Sequence, residues 1–327
     1  RAWGVVGHLN AVVNSLDLRD AYNGMLPTVT DFWAGLSQDE RLFAKYKQIG
    51  ASSGILALKP AQNQAIDNEL RDFVLGGAEL AADKKARFKA IQEELSTLMS
   101  TFNDNVLDAT NAFSHCVETE AELAGLPGDV KAVAREEAAK DGKPGWKLTL
   151  HQPCFGPVMQ YADFQPLREH LYRAYVTRAS ELGADQKWNN SAVIGRILQL
   201  RTETATLLGY QNYAEVSLAT KMAETPAEVI AFIDDMVAKA KPFAERDWRE
   251  LTEFARDALA MKQVNAWDVA YVSEKLREQR YAFSDNEVKQ YFPEAKVLSG
   301  LFRVIETLYG LMVKPAKAET WHQDARF

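Results

Sequence analysis

Side chains able to do metal or acid–base chemistry are spread thinly along these 327 residues. The five histidines are His8, His115, His151, His170 and His322, and the closest two, His151 and His170, stand 19 positions apart. A helical zinc site needs two imidazoles about one turn apart on one face, as His-Glu-x-x-His supplies. No such pair is present, so a metal site would need ligands gathered from distant segments. His115 and His170 read instead as helix-face residues. Cys116 and Cys154 lie far from any C-x-x-C spacing. Two cysteines are too few for a disulfide framework and point to a reducing compartment.

Other constellations resolve into bland readings. Gly50-Ala51-Ser52-Ser53-Gly54 spells G-x-S-x-G, which makes a nucleophile elbow only on a strand-to-helix turn. Leu42, Phe43, Tyr46 and Ile49 repeat at helical steps before it, so Gly50 reads as a helix C-cap and Ser52 as part of an interhelical loop. Asn189-Asn190-Ser191 has the letters of a glycosylation sequon but reads better as a helix N-cap at Asn190. Glu93-Glu94, Glu136-Glu137 and Asp234-Asp235 are adjacent carboxylates; neighbours on a helix point about 100° apart and cannot share a substrate proton. Solvated faces are the preferred reading. Trp267, Tyr271, Tyr281, Tyr291 and Phe292 could line a peptide groove or pack a core, and core packing is preferred. From the residues alone, no catalytic, cofactor-binding or metal-binding side chain is assigned.

The elements that would position any site are helical nearly everywhere. Phe88, Ile91, Leu95, Leu98, Phe102, Val106, Ala109 and Phe113 keep one face for about seven turns and need a partner helix. Ile66, Leu70, Phe73 and Val74 predict a shorter helix ended by Gly76-Gly77, and the two together an antiparallel hairpin. Thr225-Pro226-Ala227-Glu228 is a capping box opening a run that Pro242 either kinks or splits in two. Ser284-Asp285-Asn286-Glu287 is a second box. Further helices carry Val193 to Leu208, Leu167 to Leu182 (ending at Gly183), and Val297 to Leu308 (closed by Gly310). Trp146 to Leu150 alternates after a turn and predicts one strand, with the tail Trp321–Phe327 a candidate second. The fold class is mostly α.

Composition narrows the function classes. Hydrophobic residues make up 47% and charged residues 25%, ordinary for a globular chain large enough to bury a core without staples. A net charge of −7 leaves no basic excess for broad nucleic-acid binding. No uncharged run reaches the length of a membrane span. The chain opens at Arg1 within an apparent element and stops at Phe327 without a terminating cap, which reads as an excerpt from a longer protein.

Several long words carry a resemblance. Ala266-Trp-Asp-Val-Ala-Tyr-Val-Ser-Glu-Lys-Leu276 and Gln290-Tyr-Phe-Pro-Glu-Ala-Lys-Val-Leu-Ser-Gly-Leu-Phe302 resemble the thimet-oligopeptidase family of zinc metallopeptidases. So do Asn190–Leu200, Leu207-Leu-Gly-Tyr-Gln-Asn-Tyr213, Leu218-Ala-Thr-Lys-Met-Ala-Glu-Thr-Pro226, Arg1-Ala-Trp3, Val12-Val-Asn-Ser15 and Trp146-Lys-Leu-Thr-Leu150. The resemblance runs over essentially the whole chain, in order. It implies a mostly α-helical, two-lobed protein with a deep channel that admits short peptides. It also implies a C-terminal lobe where a His-Glu-x-x-His helix and a later Glu hold zinc. None of those ligands has a counterpart here.

The expectations are therefore specific. Residues 1–144 form an N-terminal helical region with the long hairpin; residues 145–327 form a strand followed by helices leading toward a catalytic lobe. The parent is a cytoplasmic zinc oligopeptidase acting on short peptides, with neither nucleic-acid nor membrane partners. This segment forms a channel wall, holds no zinc, is inert alone, and self-associates through apolar surface. The alternative is a stand-alone helical module that binds a peptide or protein without chemistry.

Overall fold

The computed structural model describes residues 2–52, 58–282, 285–322 and 324–326. Among them are fourteen α-helices and one two-stranded sheet, the mostly α architecture that the periodicity predicts. In chain order these are α1 (Ala2–Val12), α2 (Leu16–Ser37), α3 (Glu40–Gly50), α4 (Pro60–Leu75), α5 (Ala82–Ala112), β1 (His115–Val117), α6 (Gly128–Lys140) and β2 (Trp146–Leu148). They continue with α7 (Gln152–Tyr161), α8 (Gln165–Thr177), α9 (Ser191–Leu207), α10 (Tyr213–Leu218), α11 (Pro226–Leu259), α12 (Val269–Tyr281), α13 (Asp285–Lys289) and α14 (Glu294–Tyr309). The chain divides into two compact units, residues 1–106 with 187–240 and residues 107–186 with 241–327.

In the first unit the long α5 stripe finds its partner in α9. Ile91 and Leu95 close on Ile197 and Leu200, with Leu98, Val193 and Leu207 around them. Paired guanidinium–carboxylate forks flank this seam, Arg87 on Glu203 and Arg196 on Glu94. On another side α2 is tied to α5 by Thr30–Ser96 and by Asn23, which accepts from Ser100 and donates to Asp104. The predicted hairpin of α4 with α5 is corrected. α4 packs on α3, where Phe43 and Phe73 meet at 5.3 Å beside Tyr46 and Leu70. Its predicted end holds: α4 stops at Leu75, and Gly77 takes the left-handed φ of +86° that a side chain resists.

Asn190 departs from its predicted role. It sits at the N-cap of α9 without capping it; Asn189 accepts the Ser191 N–H instead. The buried Asn190 amide donates to the Phe102 carbonyl and accepts from Asn105, pinning α9 to α5. At α11 the Thr225 hydroxyl accepts the Glu228 N–H as predicted, while the Glu228 carboxylate reaches the N–H of Glu224. Pro242 lies inside one helix and does not split it.

In the second unit the sheet joins β1 and β2 antiparallel, pairing Cys116 with Lys147. β2 is the predicted strand. Its partner is β1, not the Trp321–Phe327 tail, whose described residues hold no strand. His115 is therefore a strand residue, contrary to the helix-face reading. Leu148, Val158 and Leu171 are fully buried in the core behind the sheet. α8 ends at Thr177, before the predicted Gly183, because the Ser180 hydroxyl and N–H both turn back to the Thr177 carbonyl. Leu182 is consequently exposed. α14 closes at Gly310 as predicted, with φ +64°. Of the second capping box, Ser284 lies outside the described residues, as do Ser53 and Gly54 of the G-x-S-x-G stretch.

Candidate functional site

The second unit concentrates its polar chemistry around one buried ion pair. Arg168, in the first turn of α8, and Asp268, just before α12, are 1% and 0% exposed. Arg168 Nη2 donates to Asp268 Oδ1 at 2.7 Å, and Nη1 donates to the Ala162 and Asp163 carbonyls. The other Asp268 oxygen accepts from the Gln165 side chain and from both the backbone and side-chain amides of Asn265. Tyr271 lies over the guanidinium, 4.1 Å from charge to ring centre, and donates its hydroxyl to Asp163 at 2.9 Å. Burial, with the Asp163 carboxylate adding to it, pushes the Tyr271 hydroxyl up to about 12. The Arg168 and Asp268 charges are buried and paired with each other, and the pair locks the start of α12 onto α8.

Two clefts open beside this scaffold. A cleft of about 610 Å³ separates α11 from α12, walled by Trp248, Leu251, Leu276 and Tyr281. Its guanidinium heads are each held by a carboxylate: Arg246 by Asp247, Arg277 by Glu274 and Arg280 by Glu250. A second cleft, about 530 Å³, is lined by residues of α6, β2 and α7, among them Val133, Lys147, His151, Cys154 and Pro157, with Lys289 of α13. Both volumes lie in the range of small-ligand and peptide side-chain pockets. Neither lining brings together a nucleophile, a base and a group to orient it.

The groups singled out in the sequence take local hydrogen bonds and ion pairs. The Ser52 hydroxyl donates to the Ile49 carbonyl at 2.8 Å, at the end of α3 and not on a strand-to-helix turn. Burial pushes the Cys154 thiol up, away from the thiolate form a nucleophile needs. The Glu136 and Glu137 carboxylates both pair with Lys140, while Asp235 pairs with Lys239, on exposed faces. Glu94 departs from the solvated reading, because Arg196 binds it through both oxygens and holds its carboxyl below the usual range. Of the clustered aromatics, Trp267 and Tyr271 are partly buried. Tyr281, Tyr291 and Phe292 are 58%, 66% and 65% exposed, which corrects the core reading: they stand at the end of α12 and beyond it, past its packed face.

The fold does bring together two histidines that sequence spacing separates. The rings of His115 on β1 and His170 on α8 lie 4.6 Å apart, with Phe113 beside His170. Burial first, then the neighbouring His170, lowers the His115 pKa below its usual 6.5, and Glu122 opposes both. The unfolded chain therefore takes up a proton near pH 6.5 that folded His115 resists. This contribution to stability is whole above that pH and is lost as pH falls below it. Urea midpoints are expected to fall between pH 7.5 and 5.5 more in the wild type than in His115→Gln; parallel pH profiles would contradict this.

Comparison with known proteins adds what the geometry leaves unassigned. The family model described as "Peptidase family M3" matches residues 158–327, and "Neurolysin/Thimet oligopeptidase, N-terminal domain" matches residues 1–85. Oligopeptidase A of Escherichia coli (strain K12) is 43% identical over 329 residues, covering 100% of this chain and 48% of that protein. Oligopeptidase A of Haemophilus influenzae is 42% identical with the same coverage. A probable cytosolic oligopeptidase A of Arabidopsis thaliana is 37% identical, over 99% of this chain and 47% of its own length. The chain spans about half the length of the curated relatives it matches.

Proposed function

The chain belongs to peptidase family M3, and from that premise we propose that it is part of a zinc-dependent oligopeptidase that hydrolyses short peptides in the cytoplasm. In that reading this segment walls the substrate channel and limits substrate size, while the zinc chemistry resides in polypeptide outside it. The observation that carries the proposal is the similarity to oligopeptidase A along the full 327 residues. No helix among the described residues is long and apolar enough to cross a membrane.

Among the described residues the donor set does not fit a catalytic zinc. A catalytic zinc takes three protein ligands, and among the described residues no group of three or more His, Cys, Asp or Glu side chains could hold a metal ion. Among the described residues the His115–His170 pair belongs to no such group. No step of a zinc mechanism is therefore routed through these residues. Their part is to bind, shape and exclude: the Arg168–Asp268 lock fixes α8 and α12, and the cleft beside α12 offers aromatic walls and neutralised cations to a peptide.

The test is to incubate the purified chain with a short internally quenched fluorescent peptide, with added zinc and with chelator. No cleavage above background is expected under either condition. Chelator-sensitive hydrolysis by this chain would overturn the assignment of the zinc chemistry to polypeptide outside it.

A further inference from the structure

The two histidines that the fold brings together are carried on backbone that the core holds still. Alternation along β1 puts His115 on the same face as the buried Val117, and the register sets it opposite the fully buried Leu148. Cys116, between them, faces the other way and is exposed. His170 stands beside Leu171 on α8, whose buried residues are Leu167, Arg168 and Leu171. Phe113, packed against the same core, lies 5.9 Å from the His170 ring. His170 is nevertheless exposed and His115 half-buried, so ions from solution have access to the pair. Among the described residues neither imidazole has a hydrogen-bond or ion-pair partner.

The spacing of the rings suits one metal ion. Imidazole nitrogen binds such an ion at about 2.0–2.1 Å and the ring centre lies about 1.1 Å behind it, so two rings meeting at about 90–110° have centres about 4.5–5 Å apart. The His115 and His170 ring centres are 4.6 Å apart. A half-turn of either ring exchanges nitrogen for carbon at nearly constant shape, which lets each aim a nitrogen at the shared point. Glu122 is near enough to act electrostatically on His115, and its negative charge favours a cation there. We propose that His115 and His170 chelate one late first-row divalent cation, of the Zn²⁺, Ni²⁺ or Cu²⁺ kind, with water completing its shell, and that the bound ion ties β1 to α8. Two neutral nitrogen donors suit these ions and not Mg²⁺ or Ca²⁺, which demand oxygen. The set stops at two protein ligands, in keeping with the absence of any group of three among the described residues. Its affinity comes from the second imidazole, which binds intramolecularly once the first has bound. Both elements belong to the second unit, and the proposal does not depend on the peptidase reading.

The test titrates Ni²⁺ by calorimetry into the purified chain, free of any histidine tag, at about pH 7.5, above the ordinary histidine range. One-to-one binding is expected, and none with Mg²⁺. His115→Gln and His170→Gln are each expected to weaken Ni²⁺ binding at least about tenfold, because a single imidazole loses the intramolecular advantage. His151→Gln and Cys116→Ser are expected to leave it unchanged. Ni²⁺ is also expected to raise the melting temperature of the wild type and of Cys116→Ser, but of neither pair variant, since an ion held by the folded state alone stabilises that state. Circular dichroism without metal checks the fold of each variant; His170 is exposed, so His170→Gln alone decides the matter if His115→Gln does not fold. Binding indifferent to His170→Gln, binding lost in Cys116→Ser, or binding that leaves the melting temperature unchanged would each overturn the proposal.

Discussion

Arg168→Ala is expected to cost about 3–5 kcal/mol of folding stability, the range for breaking a buried ion pair by removing one partner. The substitution deletes the cation paired with a carboxylate that is 0% exposed and leaves Asp268 with the neutral amides of Gln165 and Asn265. It also orphans the Ala162 and Asp163 carbonyls and removes the guanidinium from beneath the Tyr271 ring. Arg168→Lys should not rescue, since a single ammonium cannot reach Asp268 and both carbonyls in the fork geometry. Arg168→Met/Asp268→Leu should be less damaging than Arg168→Ala, because it removes both charges and leaves neither stranded. Urea unfolding followed by tryptophan fluorescence measures all three. A loss of under about 1 kcal/mol for Arg168→Ala would mean that the pair carries the weight of a surface salt bridge only.

Much of this scaffold is legible in the sequence, and the residues where legibility fails share a physical cause. α5, α11 and α14 follow from periodicity and caps because those signals are local: a stripe, a Thr-Pro start, a Gly end. Arg168 shows half of its role locally. It sits between Leu167 and Leu171, on the buried side of α8, and a charge placed there requires a partner. That partner, Asp268, is 100 residues away and carries no mark that identifies it. β1 fails for a similar reason. Its three residues are too few to show alternation, and only the register with β2 makes a strand of them. Asn190 carries the signature of an N-cap, yet tertiary burial turns its amide toward α5, while its neighbour Asn189 takes the local hydrogen bond. The aromatic cluster misleads because aromatic content signals burial only when its helix has something to pack against. Tyr291 and Phe292 have nothing covering them among the described residues.

Gly125→Ala should rank next in damage, and for a reason that connects it to the Arg168 cluster. Gly125 holds a φ of +83°, and a Cβ placed there would stand 2.1 Å from the Tyr161 carbonyl oxygen and 2.8 Å from the Asp163 carboxyl. The left-handed backbone alone costs a side chain about 1–2 kcal/mol. Relief of the clash must move backbone and adds an overpacking cost of about 1–3 kcal/mol. Gly142 separates the two contributions: its φ is +68°, but a Cβ there meets nothing within 4 Å, so Gly142→Ala should show only the first. If Gly125→Ala costs no more than Gly142→Ala, the steric argument is wrong. The segment that Gly125→Ala would displace includes Ala162 and Asp163, whose carbonyls accept from Arg168, and Asp163 also anchors the Tyr271 hydroxyl and donates its N–H to the Ala124 carbonyl. The two substitutions therefore damage one cluster rather than two, and Gly125→Ala/Arg168→Ala should cost less than the sum of its parts by more than about 0.5 kcal/mol. Strict additivity would show that the turn at Gly125 and the ion pair hold the unit together independently.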